Sequence, residues 1–122
     1  MCMTKKNIFY YSILILTIVF MLNFRIIHIN GHSMCPTLQD GQFCIAMNTN
    51  KIEDGDIIII NTKDDNIPAD YIIKRFYADK SDSTSVFVQG DNTEHSIDSR
   101  VLGNFDRDKV VGKIIFPLLP SK

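Results

Sequence analysis

The sequence predicts a mostly β fold, a small multi-stranded barrel or a pair of packed sheets, preceded by one N-terminal transmembrane helix. Three observations predict it. The run from Ile8 to Leu22 contains no charge, glycine or proline. Beyond residue 30 the apolar residues fall in short, β-rich clusters separated by turn residues. No run in that region keeps a helical period over three turns.

Composition narrows the class. The chain has 122 residues, 45% of them apolar, with a formal net charge of -1. That is an ordinary share for a folded protein and too high for a disordered one. The near-zero charge gives no basic face for nucleic acid. Three cysteines are too few for a disulfide scaffold and are not spaced like a structural zinc site. The charge is unevenly placed: residues 1–30 carry Lys5, Lys6 and Arg25 and no acid, whereas residues 31–122 carry ten basic and fourteen acidic residues. The two parts are built for different surroundings.

Ile8–Leu22 is shorter than the roughly 20 apolar residues a bilayer core calls for. Lys5, Lys6 and Arg25 can snorkel at its ends, and Ile26, Ile27 and Ile29 can extend it. Tyr10 and Tyr11 suit the first interface. A cleaved signal peptide needs small residues at its cleavage site, and the following NFRIIHING has no such pair. A buried core helix is disfavoured because a domain this small cannot surround a helix apolar on every face. Residues 1–29 are therefore expected to form a cytoplasmic tip and a single-pass anchor in the cell membrane. The two N-terminal lysines place that end in the cytoplasm, and residues 30–122 form one extracytoplasmic domain. Cys2 reads as a free thiol. Whether Cys35 and Cys44 pair is left open by sequence, with free thiols favoured.

Within the outer domain the strand candidates are Phe43–Met47, Ile57–Asn61, Tyr71–Phe76, Val86–Gln89 and Val110–Phe116. Asp40-Gly41, Asp54-Gly55-Asp56, Ile67-Pro68, Gly90-Asp91-Asn92 and Gly103-Asn104 mark turns. The β-branched run Ile57–Ile60 suits a strand buried on both faces.

Three polar segments are candidates for chemistry. The first is GHSMCPTL, Gly31–Leu38. Ser33 is a weak nucleophile until a base takes its proton. Pro36 stiffens the turn, and Gly31 permits close backbone approach. Alone, the segment is simply a turn. The second is DYIIKRF, Asp70–Phe76. Lys74 is useless as a base in water, with a reference pKa of about 10.4. Strand alternation sets it on the face of Ile72 and Phe76, where burial disfavours the charged form. Alone, the pattern favours an ordinary exposed strand lysine. The third is GDNTEHSIDSR, Gly90–Arg100. Here Asp91, Asp98 and Arg100 can form ion pairs, and Ser96 can hydrogen-bond an amine or hydroxyl. His28, His32 and His95 read as surface or packing residues, without a metal-binding spacing.

Taken together and in this order, the segments resemble the type I signal peptidase family of membrane-bound Ser–Lys proteases. The likeness runs from the anchor through S-M-x-P-T-L at Ser33–Leu38 and G-D-I-I at Gly55–Ile58. It continues through Lys74-Arg75 and G-D-N-x-x-x-S-x-D-S-R at Gly90–Arg100 to a G-K-x-x-F-P-like ending at Gly112–Pro117. The resemblance implies Ser33 as nucleophile, neutral Lys74 as general base and Ser96 as the group that holds the amine. An oxyanion hole would be built at Ser33 and Gly31. Some members carry a side-chain hydroxyl at the latter position, whereas glycine, as in Gram-positive-type members, leaves the hole to backbone groups. Arg75 with Asp91, and Asp98 with Arg100, would be supporting ion pairs. Met34, Ile72 and Ile73 would line shallow apolar subsites for small residues.

The implied activity is removal of signal peptides from exported preproteins by cleavage after A-x-A-type residues. The chemistry requires no cofactor and no metal. The implied partners are signal-peptide-bearing preproteins and the lipid bilayer, with no nucleic acid, and the protein would act as a monomer. The chain departs from the family pattern at FYADKSDSTS after Arg75 and at Thr93, where arginine is frequent. These departures bear on substrate range. They leave open a specialised peptidase, or a non-catalytic assembly factor for pilin-like or conjugation substrates. Leu22 and Ser33 are eleven residues apart, at most about 40 Å of extended chain, so the site must stay near the membrane surface.

Overall fold

A computed structural model describes residues 2, 4–63 and 65–119. Helix α1 runs over Lys5–Asn23, opened by Thr4, whose side chain accepts from the Asn7 amide. Nineteen residues span roughly 28 Å, close to a bilayer core. None of the helix is buried against the protein, and it is the one described helix long and apolar enough to cross a membrane. The extension through Ile26 and Ile27 is not used, because the chain turns directly into strand β1, Phe24–His28. Asn48 ties this junction together. Its amide N–H donates to the Asn23 carbonyl at 2.7 Å and its side chain to that of Leu22 at 3.0 Å, while accepting from Arg25 at 2.8 Å. Two helix-end carbonyls that would otherwise lack partners are thereby satisfied.

The remaining strands are β2 (Phe43–Met47), β3 (Ile57–Asn61), β4 (Tyr71–Tyr77), β5 (Ser85–Gln89), β6 (Phe105–Asp106) and β7 (Val110–Leu119). The five expected strands are present. Sequence periodicity missed β1, hidden at the end of the apolar run, and β6, which has only two residues. The single-turn helix α2, Ser99–Leu102, is too short for a periodic signal. All strand pairs are antiparallel, in the order β1-β2-β7-β3-β4-β5-β6. The result is an open sheet rather than a closed barrel. Register shifts in the β2–β7 and β3–β7 ladders introduce bends. The sheet curls far enough that β1 and β4, three strands apart, form opposite walls of one cleft.

Two cores lie on the two faces of β3. Ile58 and Ile60 pack with Phe76, Val86, Val88, Phe105 and Val110. Ile57, on the other face, packs against Ile29, Met34, Leu38 and Cys44. This double burial matches the unbroken β-branched run. Cys35 and Cys44 are free thiols, and burial raises the Cys44 pKa.

Candidate active site

The loop after β1 is held from beneath. Met34 and Leu38 are buried in the second core, the Leu38 amide donates to the Met34 carbonyl, and the Cys35 amide donates to that of His32. Met34, expected to line a subsite, both anchors the loop in the core and borders the cleft. Ser33 is left half-buried at the loop surface. Among the described residues, neither its amide nor its hydroxyl has a hydrogen-bond partner. An unpaired N–H beside a hydroxyl is what an oxyanion donor requires. The Gly31 amide differs: it donates to Asp40 Oδ1 at 2.8 Å and is already engaged. Of these two amides, among the described residues only that of Ser33 is unpaired. What Gly31 contributes is its backbone, at φ +94, and empty space where a side chain would stand.

Lys74 lies on β4 opposite Ile58 and on the strand face of Ile72 and Phe76. It is 6% exposed and, among the described residues, its side chain makes no hydrogen bond or ion pair. Burial lowers its pKa below the usual 10.5; the charge of Asp98 pulls it up and that of Arg100 pushes it down. These influences come from the segment after β5, which reaches over the amine.

That segment is organised by Asp98, whose side chain is fully buried. The carboxylate accepts from the Gly90 amide at 2.8 Å, from Ser96 Oγ at 2.7 Å and from Arg100 Nε at 2.9 Å. Burial alone would raise its pKa, but these donors outweigh it and hold it at about 2. Ser99 Oγ accepts from the Val88 amide, fixing the segment to β5. A second pair braces the preceding turn. Arg75 grips Asp91 with two hydrogen bonds at 2.8 and 2.7 Å, and Thr37 donates to the same carboxylate at 2.5 Å. The Arg75 guanidinium holds the Asp91 pKa low.

The two loops interlock at Gly90. The Asn92 amide donates to the Ser33 carbonyl at 2.9 Å, and the Asn92 side chain donates to that of His32 at 3.0 Å. A Cβ on Gly90 would stand 2.2 Å from Ser96 Oγ and 2.5 Å from the Ser33 oxygen. Ser96 and the Ser33 backbone are thus neighbours across one glycine. Ser33 and Lys74 jointly line two clefts, of about 600 Å³ and about 480 Å³. The larger runs between β1 and Tyr71–Ile73, and Ile72 and Ile73 both border it.

A family model described as signal peptidase, peptidase S26, matches residues 3–80 and 79–119. The chain belongs to that family. It is 32% identical over 113 residues to mitochondrial inner membrane protease subunit 1 of Mus musculus, across 75% of this chain and 67% of the relative. The Homo sapiens protein of the same name is 31% identical over the same shares. Membership makes the chain a serine peptidase of the signal-peptide-removing class, and α1 makes it a membrane-anchored one.

Several residues of this signal peptidase escaped sequence reasoning. Arg25, Ile27 and Ile29 were counted with the apolar anchor but border the larger cleft. Gly90 and Asn92 were visible as turn residues, a signal that carries no information about what the turn touches. Asp40 was visible only as a turn residue and Thr37 only as a motif position, while Ile97 and Leu102 carried no signal of their own.

Proposed function

We propose that the protein is a Ser–Lys endopeptidase that removes signal peptides from exported preproteins, cleaving after small residues. Ser33 Oγ attacks the scissile carbonyl as Lys74 Nζ takes its proton. The oxygen gains the electron pair of the carbonyl π bond and is stabilised by the Ser33 amide. The intermediate collapses with cleavage of the C–N bond, and Lys74 returns the proton to the leaving amine. This leaves an acyl ester on Ser33. Water, deprotonated by Lys74, then hydrolyses the ester and regenerates both groups.

The observation that carries this function is the Lys74 amine: enclosed beside Ile72 and Phe76, without a bound counter-ion among the described residues, and sharing both clefts with Ser33. Asp98 would otherwise keep the amine charged, but its carboxylate is taken up by Arg100, Gly90 and Ser96. Ser96 positions the amine, its hydroxyl proton going to Asp98 and its lone pairs remaining free to accept. The substrate backbone docks as an added strand. Tyr71–Ile73 pair with β3 on one side, while β5 begins pairing only at Arg75, and the outer edge of β1 is open. Met34, Ile72 and Ile73 limit the size of the side chains preceding the scissile bond. The N-terminus lies in the cytoplasm and the β domain, which begins at β1 rather than at residue 30, on the far side of the cell membrane. The protein works as a monomer without a cofactor.

The test uses the full chain in detergent with a precursor whose signal ends in Ala-x-Ala. Ser33→Ala and Lys74→Ala should each lower kcat/KM by at least about a thousandfold. Processing at the wild-type rate by either variant would refute the assignment.

A further inference from the structure

The cleft of about 480 Å³ adjoins the one bordered by β1, and Ser33 and Lys74 line both. Gly31, Ser33, Ile72 and Lys74 belong to both, so a chain crossing the pair enters one cleft and leaves by the other. The larger cleft reaches Arg25, two residues beyond the end of α1. The second is lined instead by the 66–68 turn and the 95–102 segment and has no residue of β1. A precursor's apolar segment precedes its scissile bond and stays with the membrane. The residues before the bond therefore occupy the larger cleft and those after it occupy the second.

The second cleft has an apolar wall. Ile67 is fixed by packing against the main core, and Pro68 adjoins it. Opposite stand Ile97, 68% exposed, and Leu102, 45% exposed, two large apolar side chains with no cover in the free protein. Among the described lining residues there is no carboxylate, and the one lysine is Lys74. Besides Lys74 the basic groups of the lining are the imidazoles of His32 and His95, and a carboxylate seated between Ile67, Ile97 and Leu102 would lose water against an apolar wall and favour the protonated form of Lys74.

We infer that this cleft binds the first side chains of the mature segment, just after the scissile bond, and selects apolar over acidic ones through Ile67, Ile97 and Leu102, a specificity that rests on the peptidase activity proposed above. Isolated exposed apolar residues are ordinary, but a facing pair beside the reacting groups and continuous with the substrate path marks a binding surface.

The test is a series of precursors with one Ala-x-Ala signal and leucine, alanine or aspartate at each of the first three mature positions. The wild-type protein should favour leucine over aspartate by about tenfold in kcat/KM at one or more positions. Ile97→Ser with Leu102→Ser should bring that ratio toward one, and Ile97→Lys should shift it toward aspartate. On a second pair of precursors, with alanine or leucine immediately before the scissile bond, both variants should keep the wild-type preference for alanine. Equal wild-type rates across the series overturn the inference alone. So does a variant that slows every precursor by the same factor, which marks a structural role for the patch. A wild-type protein that cuts none of the series refutes the peptidase activity, and the inference with it.

Discussion

Replacing Gly90 by alanine adds one carbon at the tightest point of the site. It would meet Ser96 Oγ at 2.2 Å, Ser96 Cβ at 2.5 Å and the Ser33 carbonyl oxygen at 2.5 Å. Ordinary contact needs about 3.5 Å, so ~1 Å must open on each side. Neither side yields freely. The Ser96 hydroxyl is bonded to Asp98 at 2.7 Å, and the Ser33 carbonyl accepts from Asn92 at 2.9 Å. Overpacking of this kind costs about 1–3 kcal/mol. Moving the Ser33 backbone or the Ser96 hydroxyl by ~1 Å costs on the order of a hundredfold in rate. The assay pairs precursor cleavage with thermal unfolding followed by circular dichroism. Gly90→Ala should lose both activity and stability. Adding Ser96→Gly removes two of the three clashes and should recover part of the lost stability, so that the two substitutions are clearly non-additive. A Gly90→Ala protein with wild-type turnover and unfolding would refute the interlocked geometry.

Three further outcomes follow from the charged residues of the site. Arg100 lowers the Lys74 pKa and Asp98 raises it. The rising limb of the pH–rate profile, with a midpoint below 10.5, should therefore move to higher pH in Arg100→Gln and to lower pH in Asp98→Asn; two shifts of the same sign would contradict this electrostatic scheme. Asp98 has a pKa of about 2 in the folded chain against an ordinary 3.8. Its stabilisation, about 2 kcal/mol, is complete above pH ~4 and is lost as pH falls through ~2. Urea denaturation at descending pH should show this loss in wild type and not in Asp98→Asn, and equal slopes would contradict it. Asp91→Ala leaves a half-buried Arg75 with one of its three hydrogen bonds, that to the Gly55 carbonyl, and releases Thr37. About 1–3 kcal/mol should disappear from the unfolding free energy, with a fall in activity as the Asn92 strap loosens. Wild-type stability would show that the pair has no bracing role.

The strands were legible because their evidence is local. Ile57–Ile60 announces a strand buried on both faces, and the Asp-Gly and Gly-Asp-Asn clusters announce where strands stop. Lys74 could be placed on the face of Ile72 and Phe76 by alternation alone. How deeply that face is covered was not legible, since the cover comes from strands distant in sequence and from the segment around Asp98. Gly31 illustrates the same limit. Its place beside Ser33 is evident from the sequence, but the amide's partner is Asp40, nine residues away, and only the folded loop brings them together.

From composition and pattern alone follow an apolar anchor, a mostly β outer domain and an ordered series of segments shared with one peptidase family. These depend on hydrophobicity and short-range periodicity, which the chain carries residue by residue. The tertiary structure decided that Phe24–His28 leaves the apolar run to become a wall of the cleft. It decided that Asp98 pairs with Arg100, and that Ser33 and Lys74 line two adjoining clefts. Each of these depends on how the sheet curls and which loops it brings together. Bends in the ladders and contacts across long sequence separations set that geometry, and neither leaves a local trace in the sequence.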